Sequence, residues 1–373
     1  MSPDAASVQK SFLKYQHVFV LTAPVLFILG VYTLAPTTGS GAGYWLEYWW
    51  LFPFFLLGAT VVNTVGISGS ALFVPFLIFV YPILASGSLS PSAWGAVSLT
   101  PETLVKVGLI SESFGLSSSA VAFVQYGLVD RKLALALVGG GVPFVVGGAL
   151  LSFIIPEPIF HLLLGIALIA ASYLLFTADL GHGSEAENEE EDAVAADGGD
   201  ADSNLPNDAG KLGPAGVETD TEGNVTRVDK TGDDYQYTRG GYLRRFANYA
   251  VGGTFQGLAG FGIGELGIVS MLSTKVPVRV AIGTNHIVVA LTAVLASVVH
   301  VFGGGLVPGG HSIDLAATPW NMVVFTVPAT VIGGQIAPYV SNALEVDTIK
   351  TGVGWLFAVI SLALFGMAAG SFI

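Results

Sequence analysis

The chain has 373 residues, of which 52% are hydrophobic and only 11% are charged, and its mean hydropathy is +0.69. Soluble domains carry about 25% charged residues, so the composition excludes an ordinary soluble globular protein. The chain has no cysteine, which excludes disulfides and thiolate metal sites. The net charge of −13 belongs to residues 179–240, which hold 17 Asp/Glu against 4 Lys/Arg, so it indicates no nucleic-acid partner.

Long uncharged runs predict membrane-spanning helices. They cover residues 18–35, 133–156, 159–178, 280–299 and 353–373. Each approaches or exceeds the roughly 18–20 residues that cross a bilayer, and none alternates like a barrel strand. The predicted fold class is therefore all-α, a polytopic membrane protein. The first run is long for a signal peptide and lacks an A-x-A site, so residues 1–43 are predicted to contain an extra transmembrane helix.

Two similar halves follow, a first membrane repeat over residues 44–178 and a second over 241–373. Each half contains a Gly-rich break flanked by two short elements and then three long helices, and Gly66 corresponds to Gly260. An odd number of elements per half predicts that the second repeat is inverted relative to the first. The acidic segment 179–240 between them has few hydrophobic residues and is predicted to be a disordered linker.

The basic residues predict the orientation in the cell membrane. With the N-terminus in the cytoplasm, 13 of the 14 Lys and Arg residues fall on the cytoplasmic side. The linker is then cytoplasmic and the C-terminus outside. The exception is Lys106, which is predicted to pair with Glu102 four residues earlier on the same helix or, alternatively, to attract the anion at the entrance.

The stretch "GLAGFGIGELGIVS", residues 257–270, has the GxGxxG spacing of a dinucleotide-binding turn. Such a turn needs a preceding strand and an acidic residue about 20 positions later. A membrane helix precedes this stretch, and Asn285 and His286 stand about 20 positions on. The glycines instead predict a break between two short helices, as in secondary transporters with inverted repeats. No cofactor is predicted.

Backbone N–H groups freed at such a break can hold an anion. On the following helix of the second half, His286 and His300 are 14 residues apart and share a face. The equivalent helix of the first half carries serines and a glutamine at the same spacing, so the two faces are predicted to be facing walls of one path. The predicted substrate-binding residues are Gly66, Gly69, Ser70, Ser111, Ser118, Gln125, Gly260, Gly262, Gly264, Thr284, Asn285, His286 and His300.

Two carboxylic residues are predicted to carry a coupled proton. Glu265 directly follows the second break, and Glu112 lies in the first long helix of the first half. An ionisable residue inside a membrane helix is costly, and apolar surroundings favour its neutral, protonated form. Glu265 and Glu112 are therefore candidates for proton coupling.

These motifs resemble the sulfite exporter TauE/SafE family over roughly residues 48–178 and 242–371. The first break matches Gly66-Ile67-Ser68-Gly69-Ser70 with Pro75, and the second matches Gly260-Phe261-Gly262-Ile263-Gly264, where Val269 replaces the proline. "AIGTNHIVVALTAVLASVVHVFGG" is similar to the family's Gly-Thr…His helix; its first-half partner has Leu109 at the threonine position and Gln125 at the position of His300. The resemblance implies transport of sulfite or organosulfur anions, with the substrate varying among members.

The predicted function is therefore a secondary transporter, not an enzyme, whose partners are a small anionic substrate and the lipid bilayer. A non-coupled anion channel or a membrane scaffold is an alternative. A remoter alternative comes from "GISG", which has the GxSG pattern of rhomboid-type intramembrane proteases with Ser68 as the nucleophile. Such a serine requires a histidine base within hydrogen-bond reach.

Overall fold

The computed structural model describes residues 15–37, 39–87, 99–125, 128–177, 215–219, 225–228, 234–237, 239–272, 276, 278–306, 315, 318–343 and 346–372. The acidic stretch 179–214 and the C-terminal Ile373, both of which carry predictions, lie outside these ranges. Six described helices are long and apolar enough to cross a membrane, which confirms the predicted helical membrane protein.

The described residues before the sheet form the extra N-terminal helix and seven helices of the first half. They are α1 (Gln16–Leu34), α2 (Ala42–Leu46), α3 (Leu51–Val65), α4 (Ser70–Pro75), α5 (Tyr81–Ser86), α6 (Pro101–Gln125), α7 (Arg131–Ser152) and α8 (Glu157–Thr177), with a π-helical turn at Phe76–Val80 that joins α4 to α5. Helix α1 packs on the second half and buries only Gln16, Pro24 and Val31, so most of its surface faces outward as a lipid-exposed helix does.

The second half repeats the order of the first. Its helices are α9 (Arg239–Ala259), α10 (Ile263–Leu272), α11 (Val278–Phe302), α12 (Trp320–Ala343) and α13 (Val346–Phe372), with a 3₁₀ turn at Gly303–Leu306 after α11.

Each Gly-rich break is the tip of a re-entrant hairpin. In the first hairpin, the ring of Phe55 stacks on Phe73 at 4.4 Å and Trp50 stacks on Tyr81 at 5.8 Å, so α5 returns to the end where α3 began. In the second hairpin, the amide of Asn248 on α9 donates to the hydroxyl of Ser270 on α10 at 3.1 Å. The two short elements that flank each break therefore enter and leave on the same side.

The halves pack through equivalent helices. Helix α6 packs on α11 and α8 packs on α13, while α3 lies on α12 as α9 lies on α7. Helices α8 and α13 run antiparallel, because Ser361 of α13 donates to the carbonyl oxygen of Gly165 while Ser172 of α8 donates to that of Gly354. This antiparallel relation is the one that an inverted repeat requires.

Small residues bring these helices close together. A Cβ at Gly257 of α9 would lie 2.6 Å from the backbone nitrogen of Ala149 on α7, and one at Gly333 of α12 would lie 2.8 Å from the carbonyl oxygen of Leu56 on α3. Only glycine allows such approach, which is how membrane helices gain contact area without a hydrophobic driving force between them.

Part of the predicted disordered linker is instead a small antiparallel sheet. Strands β1 (Ala215–Thr219), β2 (Val225–Val228) and β3 (Asp234–Tyr237) pair in the order β1-β2-β3. Valine, threonine and tyrosine recur in these strands, and short Gly-containing stretches of sequence separate them. The acidity of residues 179–240 as a whole masked this local β pattern.

We expect the acidic stretch before the sheet to be dispensable for transport. Deleting residues 183–212 removes acidic residues but keeps the sheet and enough chain to connect the halves. The variant should insert, elute as a single species in detergent and take up anion at the wild-type rate. Lost uptake in a correctly inserted variant would show that the acidic stretch takes part in the mechanism.

Candidate functional site

The two breaks depend on glycine conformation. Helix α3 ends at Gly66 with φ of 75°, and α9 ends before Gly260 with φ of 86° and Gly262 with φ of 123°. Residues other than glycine rarely adopt these left-handed φ values. Each break therefore ends one helix abruptly and exposes backbone groups at its tip, as the glycine pattern predicted.

The two tips lie against each other in the interior of the molecule. A Cβ at Gly264 would lie 2.7 Å from the backbone nitrogen of Ser68, and one at Gly260 would lie 3.0 Å from the hydroxyl oxygen of Ser70. Bulky substitutions in the second break would therefore disturb the contact between the hairpins, and they would affect folding as well as any ligand.

Asn285 of α11 ties the two tips together. Its amide nitrogen donates to the carbonyl oxygen of Gly66 at 2.8 Å and to that of Gly264 at 2.7 Å. Its amide oxygen accepts a hydrogen bond from the hydroxyl of Tyr249 at 2.8 Å. Asn285 is fully buried, so it satisfies carbonyl groups that no water reaches. This predicted site residue therefore holds the backbone of the tips.

Glu265 accepts N–H groups from both breaks. One carboxylate oxygen accepts from the backbone N–H of Gly262 at 2.8 Å, and the other from that of Ser68 at 3.2 Å. The carboxylate thus joins the tip of its own half to the tip of the other half.

Glu112 forms a second link between the halves. Its carboxylate accepts the backbone N–H of Ser70 at 2.8 Å and the amide nitrogen of Gln256 on α9 at 3.0 Å. The amide oxygen of Gln256 in turn accepts the hydroxyl of Ser68 at 3.1 Å. Ser68 therefore connects the two carboxylates, one through its backbone N–H and the other through its hydroxyl and Gln256.

Both carboxyl groups are buried, Glu112 at 1% exposure and Glu265 at 3%, and their hydrogen-bond donors are neutral. In this conformation the two carboxylates accept the N–H groups that the sequence predicted to hold an anion. We use the name carboxylate-capped tips for Ser68, Ser70, Gly262, Glu112 and Glu265.

The polar face of α6 that carries Ser111 and Ser118, which we call the serine wall, packs against another helix. Ser111 donates to the hydroxyl of Thr326 at 2.6 Å, and Ser118 donates to the carbonyl oxygen of Val331 at 2.7 Å, both on α12. Spacing placed these serines on one face of α6, but that face packs against α12. The side chain of Gln125 lies outside the described residues.

The two histidines do not bond to the carboxylate-capped tips. Nδ1 of His286 is 2.7 Å from the carbonyl oxygen of Ile282 on its own helix, and its ring stacks on Phe123 at 4.7 Å. Nε2 of His300 is 2.7 Å from the carbonyl oxygen of Gly257. The serine wall and the face of α11 that carries His286 and His300 therefore do not face each other across one path in this conformation.

Three other residues singled out in the sequence have surroundings that differ from those of the tips. Thr284 accepts the backbone N–H of Asp130 at 2.9 Å, so it fastens the turn before α7. Gly69 has ordinary helical dihedrals and lies against the ring of Phe73. Lys106 is 3% exposed, whereas the side chain of its predicted partner Glu102 lies outside the described residues.

Two alternative interpretations each require a feature that the described residues do not show. Helix α9 stands where a dinucleotide-binding turn needs a strand, so GxGxxG here is a helix break. The hydroxyl of Ser68 donates to Gln256, and no histidine bonds it among the described residues. A serine nucleophile of the rhomboid type would need that base.

Gln256 and Tyr249 were missed by the sequence predictions. Both are fully buried, and both bond to predicted site residues. An uncharged amide inside the membrane run "VGGTFQGLAG" was the available signal for Gln256, since a polar group there needs partners.

The comparisons with known proteins agree with this architecture. The family model described as Sulfite exporter TauE/SafE matches residues 51–364, which include both hairpins. The "Probable membrane transporter protein YunE" of Bacillus subtilis (strain 168) is 23% identical over 296 residues, 79% of this chain and 88% of that protein. No solved structure matches. Since the matched region covers most of the chain, this protein belongs to the sulfite exporter TauE/SafE family.

Proposed function

We propose that this membrane transporter moves a small oxyanion, such as sulfite or a sulfonate, and that the carboxylate-capped tips are its binding site. The observation that carries the proposal is that buried carboxylates accept the backbone N–H groups of both breaks. Carboxylates and sulfur oxyanions are bound by the same kind of donor. The N–H groups that bind the two carboxylates in the empty protein can therefore bind an oxyanion when substrate is present.

The same contacts give a reason for proton coupling. An anion can bind these N–H groups only after their hydrogen bonds to the carboxylates have broken. A displaced carboxylate in apolar surroundings loses its hydrogen bonds and gains no water, so its charged form becomes costly. Taking up a proton removes that cost. Anion binding is therefore expected to bring proton uptake with it.

The links between the halves suit alternating access. Glu265 and Glu112 each bond to groups of both halves, so releasing them frees the two halves to move relative to one another. Inverted-repeat transporters work by rocking such halves around a central site. Substrate and proton would then control the same motion.

Reconstituted vesicles test the function. Uptake of labelled sulfite, sulfate, thiosulfate and methanesulfonate is measured in parallel with an acidic outside, with protein-free vesicles as the control. At least one of these anions should enter faster with protein than without, and more when the outside is acidic. Uptake of all four equal to the control would contradict the proposed function.

The orientation can be tested separately because the chain has no native cysteine. Single cysteines placed at residues 198 and 310 are treated in intact cells with an impermeant maleimide. Residue 310 should react and residue 198 should react only after the cells are opened. Labelling of residue 198 alone in intact cells would show that the orientation is reversed.

A further inference from the structure

We infer that the site takes a divalent oxyanion together with two protons, so that transport is electrically neutral. This inference rests on the proposed function and specifies the substrate charge of the same site. Its basis is the division of donors between two carboxylates and the neutrality of all those donors.

The donors of the first break are shared between both carboxylates. The backbone N–H of Ser68 donates to Glu265, while its hydroxyl donates to Gln256, which holds Glu112. The backbone N–H of Ser70 donates to Glu112 directly. An oxyanion that takes over the donors of this break therefore displaces both carboxylates and not one alone.

A further polar group at this place is available to a ligand. The hydroxyl oxygen of Ser70 is buried, and Glu112 is the acceptor within its reach. It stands between the backbones of Gly108 and Gly260, on the residue whose N–H holds Glu112. An oxyanion in place of Glu112 would give this hydroxyl an acceptor.

Among the described residues, no cationic side chain bonds to the tips and compensates the added charge. The titratable or cationic side chains on α6 and on the helices packed against α6 and α10 include Lys106, His161, Arg245, Tyr249, His286 and His300, and none of them donates to either carboxylate in the described structure. His17 of α1 is exposed and contacts Gln335 instead. Along their helices, Lys106 is about 9 Å from Glu112 and Arg245 about 16 Å from Gln256, at 1.5 Å per residue.

Charge balance then sets the number of protons. Each of the four carboxyl oxygens of Glu112 and Glu265 accepts an N–H group, which is the arrangement that ionised carboxylates favour, so we assign two negative charges to the empty site. A dianion added to ionised carboxylates would make four such charges in a buried place without a bonded cation, which is prohibitively costly. One proton on each displaced carboxylate restores the original charge of minus two. The number of protons equals the charge of the anion, and the two carboxylates set its maximum at two.

Steady-state accumulation in proteoliposomes measures this number. The probe is thiosulfate, which stays a dianion between pH 5.5 and 8 (by general chemistry, like sulfate), and potassium with valinomycin holds the membrane potential at zero. One pH unit across the membrane should concentrate a dianion about 100-fold if two protons accompany it and about 10-fold if one does. In wild-type protein we expect about 100-fold, unchanged when an inside-negative potential is imposed.

Single variants separate the contributions of the two proton-carrying residues, Glu112 and Glu265. Glu112→Gln and Glu265→Gln should each lower the accumulation to about 10-fold and make it sensitive to potential, because one proton then travels with two negative charges. Glu47→Gln is the matched control, since Glu47 is exposed and its contact with Asn321 lies away from the tips. This control should keep the wild-type ratio.

The outcomes distinguish this inference from the proposed function. Wild-type thiosulfate uptake that creates a current, or a 10-fold ratio, would overturn the two-proton assignment while leaving an anion transporter in place. Uptake of methanesulfonate with no uptake of thiosulfate, sulfate or sulfite would overturn the divalent substrate. The wild-type ratio decides the question even if a variant fails to fold.

Discussion

Replacing both Glu112 and Glu265 by glutamine is expected to abolish proton-driven accumulation while leaving anion exchange in place. The variant has no group at the tips that takes up a proton, so one pH unit should give an accumulation ratio of about one in place of about 100. A glutamine also presents an NH₂ group to one of the N–H donors, which weakens the caps and favours a competing anion. Exchange of labelled for unlabelled thiosulfate across the membrane, with no pH gradient, measures the activity that should persist.

The double variant needs a control with the same change of charge. Glu47→Gln combined with Glu157→Gln removes two carboxylates at residues outside the carboxylate-capped tips, and it should behave as wild type. If the tip variant still accumulates thiosulfate against its gradient, proton coupling does not pass through these two residues. If it loses exchange as well but remains folded, the carboxylates serve binding and not coupling.

Replacing Asn285 by leucine is expected to be the most destabilising single change in the site. It leaves the carbonyl oxygen of Gly66 without this donor, removes the side-chain hydrogen bond to the carbonyl oxygen of Gly264, which lies inside α10, and removes the acceptor of the Tyr249 hydroxyl. Each unsatisfied buried group costs about 1–3 kcal/mol, so we expect a loss of about 2–4 kcal/mol in the free energy of unfolding. Thermal unfolding in detergent, followed by tryptophan fluorescence, measures the loss.

Thr292→Val on the same helix is the control for Asn285→Leu. The hydroxyl of Thr292 bonds only within its own helix, to the carbonyl oxygen of Val288 at 2.8 Å and to that of Val289 at 3.1 Å. Both carbonyl groups already accept N–H groups of the helix, so the change should cost under about 1 kcal/mol. Equal losses in the two variants would mean that Asn285 does not hold the tips.

Much of the fold was readable because membrane helices leave a strong local signal. Apolar runs fix the spans, and the glycines at Gly66 and Gly260 mark the breaks because few other residues adopt their dihedrals. Glu112 and Glu265 stood out because ionisable groups are rare in such runs. These features depend on single residues and their nearest neighbours in the chain.

The partners of the site residues were not readable in the same way. Helical spacing placed Ser111 and Ser118 on one face but did not show that α12 covers this face. The bonds of Ser68 to Glu265 and Gln256 join residues nearly 200 positions apart. A periodic pattern carries no information about which distant helix lies opposite, so the carboxylate-capped tips became visible only in three dimensions.

The contact between the two hairpin tips has a consequence for biosynthesis. The first hairpin is made and inserted before the second half exists, yet the carbonyl of Gly66 and the N–H of Ser68 find their partners on Asn285 and Glu265 of that second half. Until then these groups are exposed to the membrane interior or to trapped water, which is costly. The nascent first half is therefore an incomplete structure that must remain open in the bilayer. A first half made alone should be a substrate for membrane quality-control proteases, and supplying the second half as a separate polypeptide should rescue it.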